Sequence, residues 1–177
     1  MKTFKVIIVA VGLIFLSCDN ETTLQEYYVQ NQDNNQFMAL DIPASLLSAD
    51  VAELDAEQKA TLETIRKVNL MAYPMNDKNK ATYDQEREKL AEILQAEKYK
   101  TLIKYGGGTR KAELYYLGEE DAIDEFIVFG SDEEKGFAVA RILGNNMEPA
   151  ALIKLVKSFN KGDLNLQGLE ALSTFKN

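Results

Sequence analysis

The chain has 177 residues and 46% hydrophobic content, enough for one domain with a real core and hard to divide into two. With 28 acidic against 20 basic residues it carries a formal charge of −8, and no Lys/Arg cluster is dense enough to hold phosphates, which argues against nucleic acid as a partner. One Cys and no His leave no internal disulfide, no imidazole-based triad and no usual zinc set, so any catalysis would fall to carboxylates, Lys, Tyr or a shifted Ser.

The N-terminus reads as a secretion signal. Lys2 and Lys5 precede an uninterrupted apolar run, Val6 to Leu16, too short to span a bilayer as a helix, which needs roughly 20 residues. A cut after Ser17 by the small-x-small rule fails because Phe15 holds the third position. Leu16-Ser17-Cys18 instead resembles a lipobox, in which a small residue precedes a cysteine that is acylated and becomes N-terminal. The expectation is a signal peptide over 1–17 and lipid attachment at Cys18, the only cysteine. Two or three buried acyl chains, at about 0.8 kcal/mol per methylene, anchor durably where one does not. Residues 18–36, rich in Asn, Gln, Asp and Glu, read as a flexible tether.

From Phe37 the apolar residues recur with readable periods. Phe37 to Ile42 predicts a strand stopped by Pro43, and Asp55-x-x-Gln58 a capping box opening a helix to about Arg66, with Ala60, Leu62 and Ile65 facing the core. Val68 to Tyr73 predicts a second strand. Thr82-x-x-Gln85 predicts a second capped helix whose stripe is Tyr83, Leu90, Ala91 and Leu94. Four strands follow, 100–105, 111–117, 125–129 and 137–143, joined by Gly-containing turns into an antiparallel meander. Asn146 is expected to cap a last helix, Met147 to Phe159, with Met147, Ala151, Leu152, Leu155, Val156 and Phe159 on one stripe. The expected fold is α+β: βαβα, then the meander and a C-terminal helix, with the helices packed on one sheet face. The single domain spans 37–159, and 160–177 form a weakly amphipathic tail.

This layout, with the lipobox and the closing RILGNNMEPAALIKLVKSF, resembles a family of small Bacteroidota lipoproteins known as domain of unknown function 4252, over about residues 37–159. The resemblance implies an exported, lipid-anchored α+β domain and carries over no functional residue.

Four local features invite functional readings. Gly106-Gly107-Gly108 could cradle an anion, but no Lys-Ser/Thr follows and the next element is a strand, so it reads as a hairpin turn. The acidic groups Glu119-Glu120-Asp121-x-x-Asp124-Glu125 and Asp132-Glu133-Glu134 offer hard oxygen ligands for Ca²⁺, yet both fall in turns where solvated carboxylates are ordinary. Asp163-x-Asn165-x-Gln167-Gly168 mimics the opening of an EF-hand loop, with Thr174 where the bidentate Glu belongs. Tyr115 and Tyr116, adjacent in a strand, point to opposite faces, so at most one is free for binding. None of the four is assigned as a metal or cofactor site.

The expected function is therefore non-enzymatic: a monomeric binding or accessory domain held at the membrane through Cys18. Its place is the cell envelope, on the periplasmic face or surface of the outer membrane. A regulatory component of envelope sensing and a carboxylate-dependent hydrolase are the alternatives.

Overall fold

The computed structural model describes residues 22–47 and 54–159. Cys18, the expected signal peptide over 1–17, the expected tail over 160–177 and, within it, the EF-hand-like segment from Asp163 all lie outside the described residues. In chain order the elements are α1 (Leu24–Asn31), β1 (Met38–Pro43), α2 (Ala44–Leu47), α3 (Ala56–Thr64) and β2 (Ile65–Pro74). They continue with α4 (Lys80–Ile93), β3 (Lys100–Gly107), β4 (Arg110–Glu119), β5 (Ala122–Asp132), β6 (Gly136–Met147) and α5 (Pro149–Phe159).

The six strands form one antiparallel sheet in the order β1-β2-β6-β5-β4-β3. The α+β class and the meander of β3 to β6 are as the sequence predicts. Arrival of β2 next to β6 requires α4 to cross over the sheet to its far edge, where β3 begins. Turn chemistry holds the meander: Gly118 closes the β4 bulge at φ 106° and Gly136 starts β6 at φ 123°, where an added Cβ would collide with the Tyr73 carbonyl oxygen.

Helices pack on both faces of the sheet, which corrects the single helical layer expected from sequence. On the first face, α1 and α4 bury Leu24, Tyr27, Tyr28, Tyr83, Leu90 and Leu94 against Met71, Tyr73, Ile127, Phe129, Phe137 and Val139. Aromatic rings organise this core: Tyr73 stacks on Phe137 at 5.5 Å, and Phe37 meets Tyr73 edge-on at 4.9 Å. On the second face, α3 and α5 bury Leu62, Leu152 and Leu155 against Ile65, Tyr116, Phe126, Ile142 and Met147. The physical reason is visible in β5, where Phe126, Ile127, Val128 and Phe129 run without a polar residue. Alternate side chains feed opposite cores, as a strand buried on both faces requires.

Residues 22–36 are not a tether. Thr23 caps α1 with a reciprocal capping box, its hydroxyl accepting from the Glu26 amide while the Glu26 carboxylate accepts from the Thr23 amide. Three tyrosine hydroxyls fasten the helix: Tyr27 donates to Glu86 at 2.9 Å, Tyr28 donates to Asp41 at 2.8 Å, and the Leu24 amide donates to Tyr99 at 2.9 Å. The polar composition of the segment hides a buried stripe of Leu24, Tyr27, Tyr28 and Asn31.

Two helix starts also differ from expectation. α3 is capped by Asp55 and Gln58 as the capping box predicts, with Thr61 and Leu62 inward and Ala60 exposed. α4 begins at Asn79 and Lys80 rather than Thr82, because the Asn79 side chain is engaged by the turn before it, accepting from the Asn76 amide and donating to the Pro74 carbonyl. Asn146 does not cap α5. It sits at φ 50° in the irregular end of β6, and Met147 fills the second core from the strand.

Candidate functional site

Cross-strand register divides the second face into rows. The row Ile42, Val68, Ile142, Phe126 and Tyr116 lies in or beside the core beneath α3 and α5. The next row is Leu40, Leu70, Ala140, Val128, Leu114 and Ile103, all apolar; Val128 and Leu114 touch the edge of that core and the remaining four lie beyond it. The outer row is Met38, Ala72, Ala138, Gly130, Ala112 and Tyr105. Apart from buried Ala72, these side chains keep solvent contact, and at the β3 edge Ile103 and Tyr105 are 42% and 79% exposed. A monomer rarely leaves two contiguous apolar rows of a sheet in water unless they meet something.

The part of the outer row on β4 to β6, Ala112, Gly130 and Ala138, lies in a groove of about 440 Å³ that is also lined by Tyr105 at the edge strand and by Arg110, Asp132 and Lys135 at the turns. Its size is that of ordinary ligand clefts. At the rim Arg110 Nε lies 2.8 Å from the Asp132 carboxylate, which also accepts from the Glu134 and Lys135 amides. Those bonds, the Glu134 amide foremost, hold the Asp132 carboxyl below the usual Asp range. Ala112, Gly130 and Ala138 give the groove a small apolar floor, while Arg110, Lys111, Ser131, Asp132 and Lys135 also line it.

The first face carries the buried polar chemistry. Arg141 makes a bidentate pair with Glu125, Nε at 2.6 Å and Nη2 at 3.0 Å, with both side chains largely shielded. Nearby, Asp41 accepts from Tyr28 and Asn69. Burial, followed by hydrogen bonds to carboxylates, pushes the Tyr27, Tyr28 and Tyr115 hydroxyls well above the usual tyrosine range. These groups are paired with one another: Arg141 with Glu125 ties β6 to β5, Tyr28 with Asp41 ties α1 to β1, and Tyr27 with Glu86 ties α1 to α4. The Tyr73 hydroxyl, in contrast, is buried without a hydrogen-bond partner among the described residues.

The features singled out in the sequence are scattered. Gly106 to Gly108 form the tip of the β3–β4 hairpin, with Gly108 at φ 64°. Of the first acidic group, Glu125 is drawn into the sheet by Arg141, while Glu119, Glu120, Asp121 and Asp124 lie exposed around the β4–β5 turn. The second group is the β5–β6 turn, where Asp132 serves the backbone and Arg110. Among the described residues no group of three or more His, Cys, Asp or Glu could hold a metal ion. Tyr115 and Tyr116 do point to opposite faces, but both are buried, one in each core. The open rows escaped the sequence reading because five of their twelve residues are Ala or Gly; the signal was Ala112, Gly130, Ala138 and Ala140 recurring in strands otherwise rich in large apolar residues.

Among the described residues no helix is long and apolar enough to cross a membrane. No curated protein and no solved structure matches the chain. The family described as a domain of unknown function, DUF4252, matches residues 27–155. That range opens inside α1, whose tyrosines fasten it to the sheet, and closes at Leu155, which is buried in the second core. The chain thus belongs to the DUF4252 family.

Proposed function

We propose that this protein is a lipid-anchored lipoprotein of the cell envelope, held through Cys18, and that its domain acts by binding rather than by catalysis. The contact surface in this reading is the open apolar half of the second face, from Leu40 and Leu70 across to Ile103 and Tyr105. The observation that carries it is that two apolar rows keep solvent contact in a domain otherwise covered by helices on both faces. The short apolar run ending in Leu16-Ser17-Cys18 supports the anchor. The test uses the native, membrane-extracted protein beside the double variant Ile103→Asp/Tyr105→Asp, whose two sites are already exposed and which should therefore fold normally. Cross-linking should recover a partner with the wild type and lose it with the variant. Recovery of the same partner in equal yield by both would overturn this surface.

A further inference from the structure

The sheet has two edges, β1 and β3, and they differ. β1 is the shorter strand, closes on Pro43 and is partly covered, and its Asp41 is held by Tyr28 from α1. Short length, proline and a covering element are ordinary ways of blunting an edge. β3 runs for eight residues, pairs with β4 and is exposed along nearly its whole length. Among the described residues no strand pairs with its outer side, so its outward amides and carbonyls are open to another extended chain.

Register fixes which side chains such a chain would meet. Ile103 pairs with Leu114 and Tyr105 with Ala112, so both point to the second face, where they end the two apolar rows. Among the described residues the only other large apolar side chains left exposed are Val29 and Leu46. Lys104, between them, pairs with Glu113 and points to the first face. Its ammonium is 3.8 Å from the Glu113 carboxylate and its side chain is 58% exposed, which leaves donors for a second carboxylate. A seventh strand would extend the apolar rows with two alternate residues and set the residue between them against Lys104.

Charge selects what that middle residue is. Residues 98–113 carry Lys98, Lys100, Lys104, Arg110 and Lys111 against Glu113 alone, in a chain whose formal charge is −8. The same charges disfavour a second copy, because pairing β3 with β3 would bring Lys100 and Lys104 of both copies to one seam. The lysines and the bulge between Thr101 and Ile103 thus guard the edge against indiscriminate pairing and leave it open to an acidic strand.

We propose that β3 is a strand-addition site for an extended segment of a partner protein in which apolar residues alternate with Asp or Glu. The apolar residues cover Ile103 and Tyr105, the carboxylates meet Lys104 and the cationic β3–β4 hairpin, and main-chain hydrogen bonds join the two strands. This rests on the reading of the open face as a contact surface and names the chemistry of what it contacts.

The probe is a fluorescein-labelled peptide alternating valine with glutamate, titrated into the membrane-extracted full chain and followed by anisotropy. It should bind saturably, a peptide alternating valine with lysine should not bind, and Lys104→Gln should raise Kd about fivefold, the upper end for an opposite-charge cross-strand pair. In an added strand one set of alternate amides faces the neighbour and the other faces solvent. Peptides N-methylated on the valine amides or on the glutamate amides should therefore differ in Kd by about tenfold or more, and neither change touches the folding of the protein. No binding, equal binding of the lysine peptide, an unchanged Kd for Lys104→Gln, or equal effects of the two methylations would overturn strand addition. Dimers of the chain alone that exclude the peptide would also overturn it, by giving the edge to a second copy. If the peptide fails while native cross-linking still depends on Ile103 and Tyr105, strand addition is lost and the contact surface stands; if cross-linking does not depend on them either, both are lost.

Discussion

Truncation of Tyr27 to Ala tests whether α1 belongs to the domain. Tyr27 is fully buried, meets Phe37 edge-on at 6.0 Å and donates its hydroxyl to Glu86 at 2.9 Å. Removing a large buried aromatic side chain costs about 3 to 5 kcal/mol, against a typical total of about 5 to 15 kcal/mol for a domain. Tyr27→Phe, which keeps the ring and loses only the hydrogen bond, should cost about 1 kcal/mol. Val29, on the same helix and 56% exposed, supplies the control, since Val29→Ala should stay within about 0.5 kcal/mol of wild type. Urea melts followed by circular dichroism read all three. If Tyr27→Ala melts with Val29→Ala, α1 contributes nothing to the fold.

Arg141→Met should destabilise by about 3 to 5 kcal/mol because it strands the Glu125 carboxylate in a shielded site, and adding Glu125→Leu should recover most of that loss in the same melts. A single variant as stable as wild type would contradict the assignment. Tyr73→Phe should be neutral or stabilise by up to about 1 kcal/mol, since it removes a buried hydroxyl that has no partner among the described residues; a loss above that value would show that the hydroxyl is bonded. Stability should also fall at alkaline pH. The folded protein holds the Tyr27, Tyr28 and Tyr115 protons more tightly than the unfolded chain, by burial first and carboxylate acceptors second, so their contribution is complete below about pH 10 and declines above it. Urea midpoints from pH 8 to 11 should show this decline, shallower in Tyr28→Phe; identical slopes would contradict it.

The sequence was most readable where one local signal fixed one element. Asp55 and Gln58 announced α3, and glycine-containing turns announced the meander. Composition misled where a few residues did the packing. Between Thr23 and Asn31 the capping box Thr23-x-x-Glu26 and the spacing Leu24, Tyr27, Tyr28, Asn31 marked an amphipathic helix, but the surrounding Asn and Gln made the stretch look soluble as a whole. Likewise the unbroken apolar run of β5 already required two covered faces. The open rows and the Arg141–Glu125 pair depend on which strands become neighbours. That pairing places Ala112, Gly130 and Ala138 side by side from three separate strands, and no single segment of the sequence carries it.

Cys18 is where the account stands or falls as a functional one. The direct measurement is metabolic labelling with a fatty-acid analogue, followed by fractionation with high-salt and carbonate washes, for the native chain and for Cys18→Ala. The account predicts a labelled native protein that stays with the membranes, and an unlabelled Cys18→Ala protein released from them. A Cys18→Ala protein that still resists the carbonate wash, or a native protein that takes up no label, would contradict it.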